Sequence, residues 1–455
     1  MLIPAGIPQT APHEEEEEGS EEKIERSDAA IGSLPIEIFQ LILCRYCQSS
    51  GFPDGLNTGT YLDLGNPTDT LPIFTLMRVC SAWRQIVLKT PELWSVVSAD
   101  DRPRGLALAK RWLSRAGNIS RTLTIVLRYN YYPVTAVHDL ISQFPFRKLR
   151  FETYFSSRFV DFTRIRAESL IPLERLELLG FYDGPSIGLT FPPHTFPNLS
   201  CLKIDGPFRI LHFKTMPWPS LRQLGLDSAV HLSLSESLTI FRDATTLERA
   251  SIVVLLADQP PLAGGVVEAP NLSALQVGFC RACNVADFFD KLTAPKLKKL
   301  QLNDMYTPDV GAECDISVFQ RLVVTSGIEL EDLSIFGMTM PLSVGALLDC
   351  MPSLQRLEVH TDLILDEDSM KRIANGELGP CLETLTMRVP LVDPQAAVPI
   401  LTMIESRQNS PRGEAHGGHS YFKQVRIRVA EMGRRYTLRD YQQRLGKLNG
   451  IVAFD

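Results

Sequence analysis

LERLELL at 173–179, LSCLKI at 199–204, LRQLGL at 221–226, LSALQV at 272–277 and LKKLQL at 297–302 are five versions of one pattern, Leu-x-x-Leu-x-Leu. The pattern continues as LEDLSI (330–335), LQRLEV (354–359) and LETLTM (382–387). Weaker copies stand at FRKLRF (146–151), LERASI (247–252) and FKQVRI (422–427). From Phe146 to Leu354, successive copies start 22 to 33 residues apart. A period of that size with this internal spacing marks a leucine-rich-repeat solenoid, in which each repeat buries its apolar face only by stacking on the next. Several copies are entered through a proline, as in Phe196-Pro-Asn-Leu, Trp218-Pro-Ser-Leu, Ala269-Pro-Asn-Leu and Met351-Pro-Ser-Leu. Proline is tolerated there because no strand hydrogen bond is yet required of its nitrogen.

Helical spacing fills gaps between the copies at Val134–Gln143, Val285–Leu292, Ser317–Thr325, Val344–Cys350 and Ala397–Ser406. Strand then helix, repeated, predicts an α/β solenoid of parallel strands on the concave face with helices and loops on the convex face. Its span is set at 105–455, with a helix at 105–116 and a first strand at Thr122–Leu127. The stretch 235–270 reads as an irregular repeat, and 407–420 as a flexible insertion.

Along each strand side chains alternate between core and surface. The leucines point inward, so the outward set includes Arg175, Glu177, Phe181, Lys203, Lys299, Gln301, Phe336, Arg356, His360, Arg388 and Arg426. This face is polar, mixed in sign and more basic toward the C-terminus. It is the candidate binding surface for a protein substrate, with Phe181 and Phe336 as exposed aromatic anchors.

The chain has 455 residues and a net charge of −7. Residues 1–30 carry nine acids against two bases, so the remainder is close to neutral. The segment 1–30 reads as a disordered acidic leader. The near-neutral body gives no footprint for nucleic acid. No run of 18 apolar residues is present, which argues against a membrane span. Nine scattered cysteines and no secretory signal fit a reduced, cytoplasmic or nuclear setting.

Candidate chemistry is thin. Cys44-x-x-Cys47 and Cys280-x-x-Cys283 are too far apart in sequence for a zinc ribbon. His416-Gly-Gly-His419 has no third ligand beside it. No phosphate-cradle, nucleophile-elbow or metalloprotease string occurs. No cofactor, metal or catalytic residue is expected.

Ahead of the repeats, SLPIEIFQLIL (33–43) has apolar residues at helical spacing, with Ser33 suited to cap and Pro35 to the first turn. The stretch 71–90 reads as a second helix, and LMRVCSAWRQIVLKTPELWS (76–95) follows the Gly/Pro/Asn-rich loop 49–70. These two blocks resemble an F-box, carried by Leu34, Pro35, Glu37, Ile38, Phe39, Ile42 and Leu43, then Leu76, Val79, Cys80, Trp83, Arg84, Ile86, Pro91, Leu93 and Trp94. The chain is similar to the fungal group of F-box proteins with C-terminal leucine-rich repeats, with the F-box at 31–97 and an inserted loop longer than the family's usual link. The resemblance implies docking on a Skp-type adaptor, and through it on cullin and RING subunits of an SCF-type ubiquitin ligase. It further implies that Leu34, Pro35, Ile38, Phe39, Ile42, Val79, Trp83, Ile86, Leu93 and Trp94 meet the adaptor. The repeats would then hold an unknown protein substrate, and the chain would itself be no enzyme. The alternative is a plain leucine-rich-repeat scaffold or binding protein whose N-terminal helices merely cap the array.

Overall fold

A computed structural model describes residues 34–49, 72–128, 134–154, 159–181, 186–192, 196–211, 215–226, 231–255, 265–280, 285–304, 315–337, 342–360, 363–389, 397–409, 420–429, 448 and 451–454. The acidic leader, Ser33, nearly all of the loop 49–70, Cys283 and the His416/His419 pair lie outside them.

A 15-stranded sheet runs through the molecule. Its strands follow chain order, and every pair is parallel. The register fixes why the repeat looks as it does. The second leucine of each copy stacks on its counterpart: Leu149, Leu176, Leu202, Leu224, Ala250, Leu275, Leu300, Leu333, Leu357, Leu385 and Val425 are paired in turn. All of them are buried. The weak copies at 146, 247 and 422 sit in register with the strong ones, so volume and burial at the slot matter more than leucine itself.

The entry motif has a second use. In four copies Asn or Ser stands between the proline and the leucine, and that side chain donates to a carbonyl of the preceding coil. Asn198 reaches Ile171 O at 2.8 Å, Ser220 reaches Leu199 O at 2.9 Å, Asn271 reaches Thr245 O at 2.9 Å and Ser353 reaches Leu330 O at 3.1 Å. Backbone carbonyls at the coil corner therefore find partners without another strand. Behind the early strands the filling is aromatic: Phe151, Phe159, Phe162, Phe191, Phe196 and Phe208 form a chain of ring contacts.

Several boundaries differ from the sequence reading. The expected helix over 71–90 is two, α2 (Pro72–Val79) and α3 (Ser81–Lys89), after α1 (Ile36–Ser49). The break falls at Cys80, which is extended (φ −159°, ψ 174°) and whose Sγ accepts from the Trp83 amide. The sheet begins earlier than Thr122. Its first strand, β1 (Val96–Asp100), starts within the segment 31–97 and pairs with β2 (Arg121–Leu127). The next helix is α4 (Pro103–Ser114). The irregular stretch holds a helix, Leu234–Asp243, started by a capping box in which Ser233 and Glu236 exchange side-chain and backbone bonds. A further unexpected helix, Glu367–Ala374, is capped by Asp366. Both caps were present in the sequence as signals.

At the C-terminal end, Arg407 was read as the start of a flexible insertion. It lies in the last turn of the helix Ala397–Asn409 and is fully buried. Its guanidinium donates to Ile373 O at 2.9 Å, Gly379 O at 2.8 Å and Ser420 O at 3.0 Å. It also lies 4.8 Å from the Phe422 ring centre. Burial lowers its pKa to about 10, so it stays charged at neutral pH. The remainder of the insertion, 410–419, is outside the described residues.

Candidate functional site: a helical end and a concave trough

Two surfaces hold the residues singled out by sequence. The first is the helical end. α1 carries two apolar stripes at helical spacing. One, Phe39 and Leu43 with Cys44 and Cys47 half-buried beside them, packs into the core. Phe39 meets Trp83 edge-on at 4.8 Å. Burial raises the Cys44 thiol and pushes Cys47 up to about 11, so both behave as small apolar groups. The other stripe, Ile38, Leu41, Ile42 and Tyr46, is exposed, with Ile42 at 48%, and Leu34 just ahead of the helix is exposed beside it. Ile36, Phe74, Val79 and Leu88 are exposed as well.

The ten residues expected at an adaptor contact therefore divide. Leu34, Pro35, Ile38, Ile42 and Val79 face solvent, and Trp83 and Ile86 are half-buried. Phe39, Leu93 and Trp94 are corrected to internal packing, since side chains buried to this degree have no surface to offer. Trp94 is 0% exposed. Its Nε1 donates to Val87 O at 2.9 Å, its ring packs on Trp112 at 4.7 Å, and the Arg115 guanidinium caps it at 4.7 Å. Leu41 and Tyr46 were missed, although they stand three and eight residues after Ile38, on the same side of the helix.

The second surface is the outward face of the long sheet. A cavity of about 850 Å³ reaches across eight strands, from Arg175 to Arg356, so this face is concave. The register sorts its side chains into rows. The row nearest the strand starts is Lys148, Arg175, Cys201, Gln223, Arg249, Ala274, Lys299, Asp332, Arg356, Thr384 and Gln424. The next runs Arg150, Glu177, Lys203, Gly225, Ser251, Gln276, Gln301, Ser334, Glu358, Thr386 and Arg426 along the same pairings.

Among the expected contact residues whose side chains are described, Glu177 alone is enclosed. It is 3% exposed, with Lys148 Nζ at 3.2 Å, Arg150 Nη1 at 3.5 Å and Arg175 Nε at 2.5 Å. Burial alone would raise its carboxyl, but the Lys148 and Arg175 charges outweigh that and hold it below the ordinary carboxylate range. Burial lowers the Lys148 ammonium, which Glu177 only partly offsets. Glu177 is thus a structural counter-ion, not a free group for a ligand. Arg175 is turned toward it.

The other expected residues stand on the face with different freedom. Arg356 pairs with Asp332 at 3.0 Å, and His360 contacts Glu358 at 2.7 Å while stacking on Phe336 at 4.3 Å. Phe181 is 53% exposed and stacks on Tyr154 at 5.0 Å. Gln301 donates to Asn303 at 3.2 Å. Lys203 is half-buried in the trough wall, and Arg426 is exposed in the strand Gln424–Val429. Arg388 lies in the strand Thr384–Val389. Lys299 is exposed and has no ion pair among the described residues. Arg249 has the same character and was missed, because the weak copy LERASI obscured its place. The signal was there: Arg249 precedes Ala250 as Arg175 precedes Leu176.

Register, repeat and rows together define a leucine-rich-repeat solenoid with a helical N-terminal end. No model of a known protein family and no curated protein matches the chain. Among solved structures it is similar to an internalin from Listeria monocytogenes at 14% identity, covering 78% of this chain and 94% of that one, with a TM-score of 0.39. It is also similar to a Bacteroides fragilis protein at 14% identity, covering 63% and 66% of the two chains, with a TM-score of 0.30. The fold assignment rests on the strand register of this chain itself. Among the described residues no helix is long and apolar enough to cross a membrane, and no metal-ligating cluster is found.

Proposed function

We propose that the chain is a substrate-recognition subunit of an SCF-type ubiquitin ligase, docking through α1–α3 on a Skp-type adaptor and holding a protein substrate on the concave face. The observation that carries this reading is the uncovered stripe Ile38, Leu41, Ile42 and Tyr46, with Leu34 just ahead of it, on a helix whose opposite stripe is already packed. A helix with a spare apolar face suits burial in a partner's groove. Each such side chain contributes up to about 1.5–3 kcal/mol when fully covered, less in proportion to what is already buried. The chain would act by bringing a substrate near the ligase's reactive subunit, which needs no catalytic group of its own.

The test is capture of a purified Skp-type adaptor by the full chain. Ile38→Asp with Ile42→Asp is expected to abolish capture and leave the thermal midpoint unchanged, because both side chains are half-exposed. Capture that survives the double substitution would sink the reading. A second reading is favoured by the single core that runs from Phe39 through Trp94 and Trp112 into the sheet. On it the helices only close the end of the array, and the chain is a binding protein without a ligase role. Absence of adaptor capture by the unmodified chain would favour that alternative.

A further inference from the structure

Of the charged side chains lining the trough, five are basic (Arg175, Lys203, Arg249, Lys299, Arg356) and three acidic (Asp205, Asp332, Glu358). Most are engaged within the chain. Arg175 is bound to Glu177, Arg356 to Asp332, and Glu358 contacts His360. Lys203 and Asp205 each have a partner of their own. Arg249 and Lys299 remain: both exposed, both in the trough, neither in an ion pair among the described residues. Two cations outside any ion pair, in a trough lined by five bases and three acids, form a local positive site.

The floor between them is low. Ala274 is the only residue separating Arg249 from Lys299 in their row; Gln276 and then Gly278 follow on the same face of its strand. Along this row a backbone can lie close to the sheet over the Ala274 methyl. The spacing is also specific. Arg249 and Lys299 are two strands apart, about 9.6 Å at the usual ~4.8 Å between strands. Three residues of a polyproline-type extended chain advance about 9.3 Å and return to the same face. Alternate residues of a β-strand recur at about 6.6 Å, which fits this separation less well.

Resting on the reading that this face holds a protein partner, we propose that the trough receives an extended, acidic segment of that partner. The segment runs across the strands, with Asp or Glu at every third position. One carboxylate meets Arg249 and the next meets Lys299, while the intervening residues lie over Ala274. Paired charges alone would not select an extended segment; the low floor and the matched period do.

The test uses the full chain and fluorescence anisotropy with a labelled peptide of repeated Glu-Pro-Ser. Binding that weakens with salt is expected, and the Gln-Pro-Ser peptide should not bind. Arg249→Gln with Lys299→Gln should weaken the Glu peptide at least about fivefold. Because both residues are exposed, their circular dichroism melt should match the unmodified chain. A peptide of equal composition with its glutamates clustered should bind more weakly than the regular one. Equal affinity for the double variant, or for the clustered peptide, overturns the proposal. So does tighter binding of Gln-Pro-phosphoserine than of Glu-Pro-Ser, which would make phosphate the ligand. A peptide that binds only after residues 1–30 are removed would give the trough to the chain's own leader, and also overturns it. Adaptor capture is scored separately. Its failure with peptide binding intact removes the ligase reading and leaves this one standing.

Discussion

Glu177 shows how much of a polar surface can be internal. Its carboxylate is nearly sealed, yet three cations keep it ionised. A carboxyl held below its unfolded value stabilises the fold at pH above the ordinary Glu range, about 4.3, and that contribution is lost as pH falls through the lowered folded value. Glu177→Gln leaves Lys148, Arg150 and Arg175 facing one another. It is expected to cost about 1–3 kcal/mol at neutral pH and to flatten the acid limb of the stability curve. Urea midpoints between about pH 3 and 7 check both effects; an unchanged acid limb would mean the carboxylate is not the titrating group.

At the scale of elements, the turns decide how tightly coils approach. Gly206 joins the strands Cys201–Asp205 and Phe208–Ile210 at φ +114°, and an added Cβ would lie 2.5 Å from Gly180 O. Both the backbone angle and the neighbour exclude a side chain. Gly206→Ala should therefore destabilise by more than about 2 kcal/mol, seen as a lowered thermal midpoint. Gly265, where an added Cβ would meet no described residue within 4 Å, serves as the control and should tolerate alanine.

The same scale explains what the sequence could disclose. Strands announced themselves because leucine at every second position is demanded by stacking, and even LERASI kept its parity. Arg249 shared that parity but was hidden by the loss of leucine at position 250. Burial of Glu177 was not legible, because it depends on Lys148 and Arg175 from adjacent coils 27 residues apart meeting it at once. The same holds for Trp94: its place in a helical-end motif resembles a contact residue, while its neighbour Trp112 arrives from a helix beyond the first strand.

For the whole molecule, the continuous core predicts how damage spreads. In a stack where each repeat touches chiefly its neighbours, a defect loosens adjacent repeats before distant ones. Trp94→Ala empties a fully buried site, at a cost of about 3–5 kcal/mol. Hydrogen exchange should show lost protection in β1 and β2, with the strand Arg356–Val359 close to unaffected. Uniform loss along the chain would mean the array unfolds as one cooperative unit.

Arg407 adds a constraint of timing. The carbonyl of Gly379 is turned inward toward a donor that lies 28 residues later in the chain. During synthesis that carbonyl is made before its guanidinium, so this coil closes only once the later helix has arrived. A nascent chain halted between the two would expose an unfinished end, open to chaperones, while its earlier coils were already set.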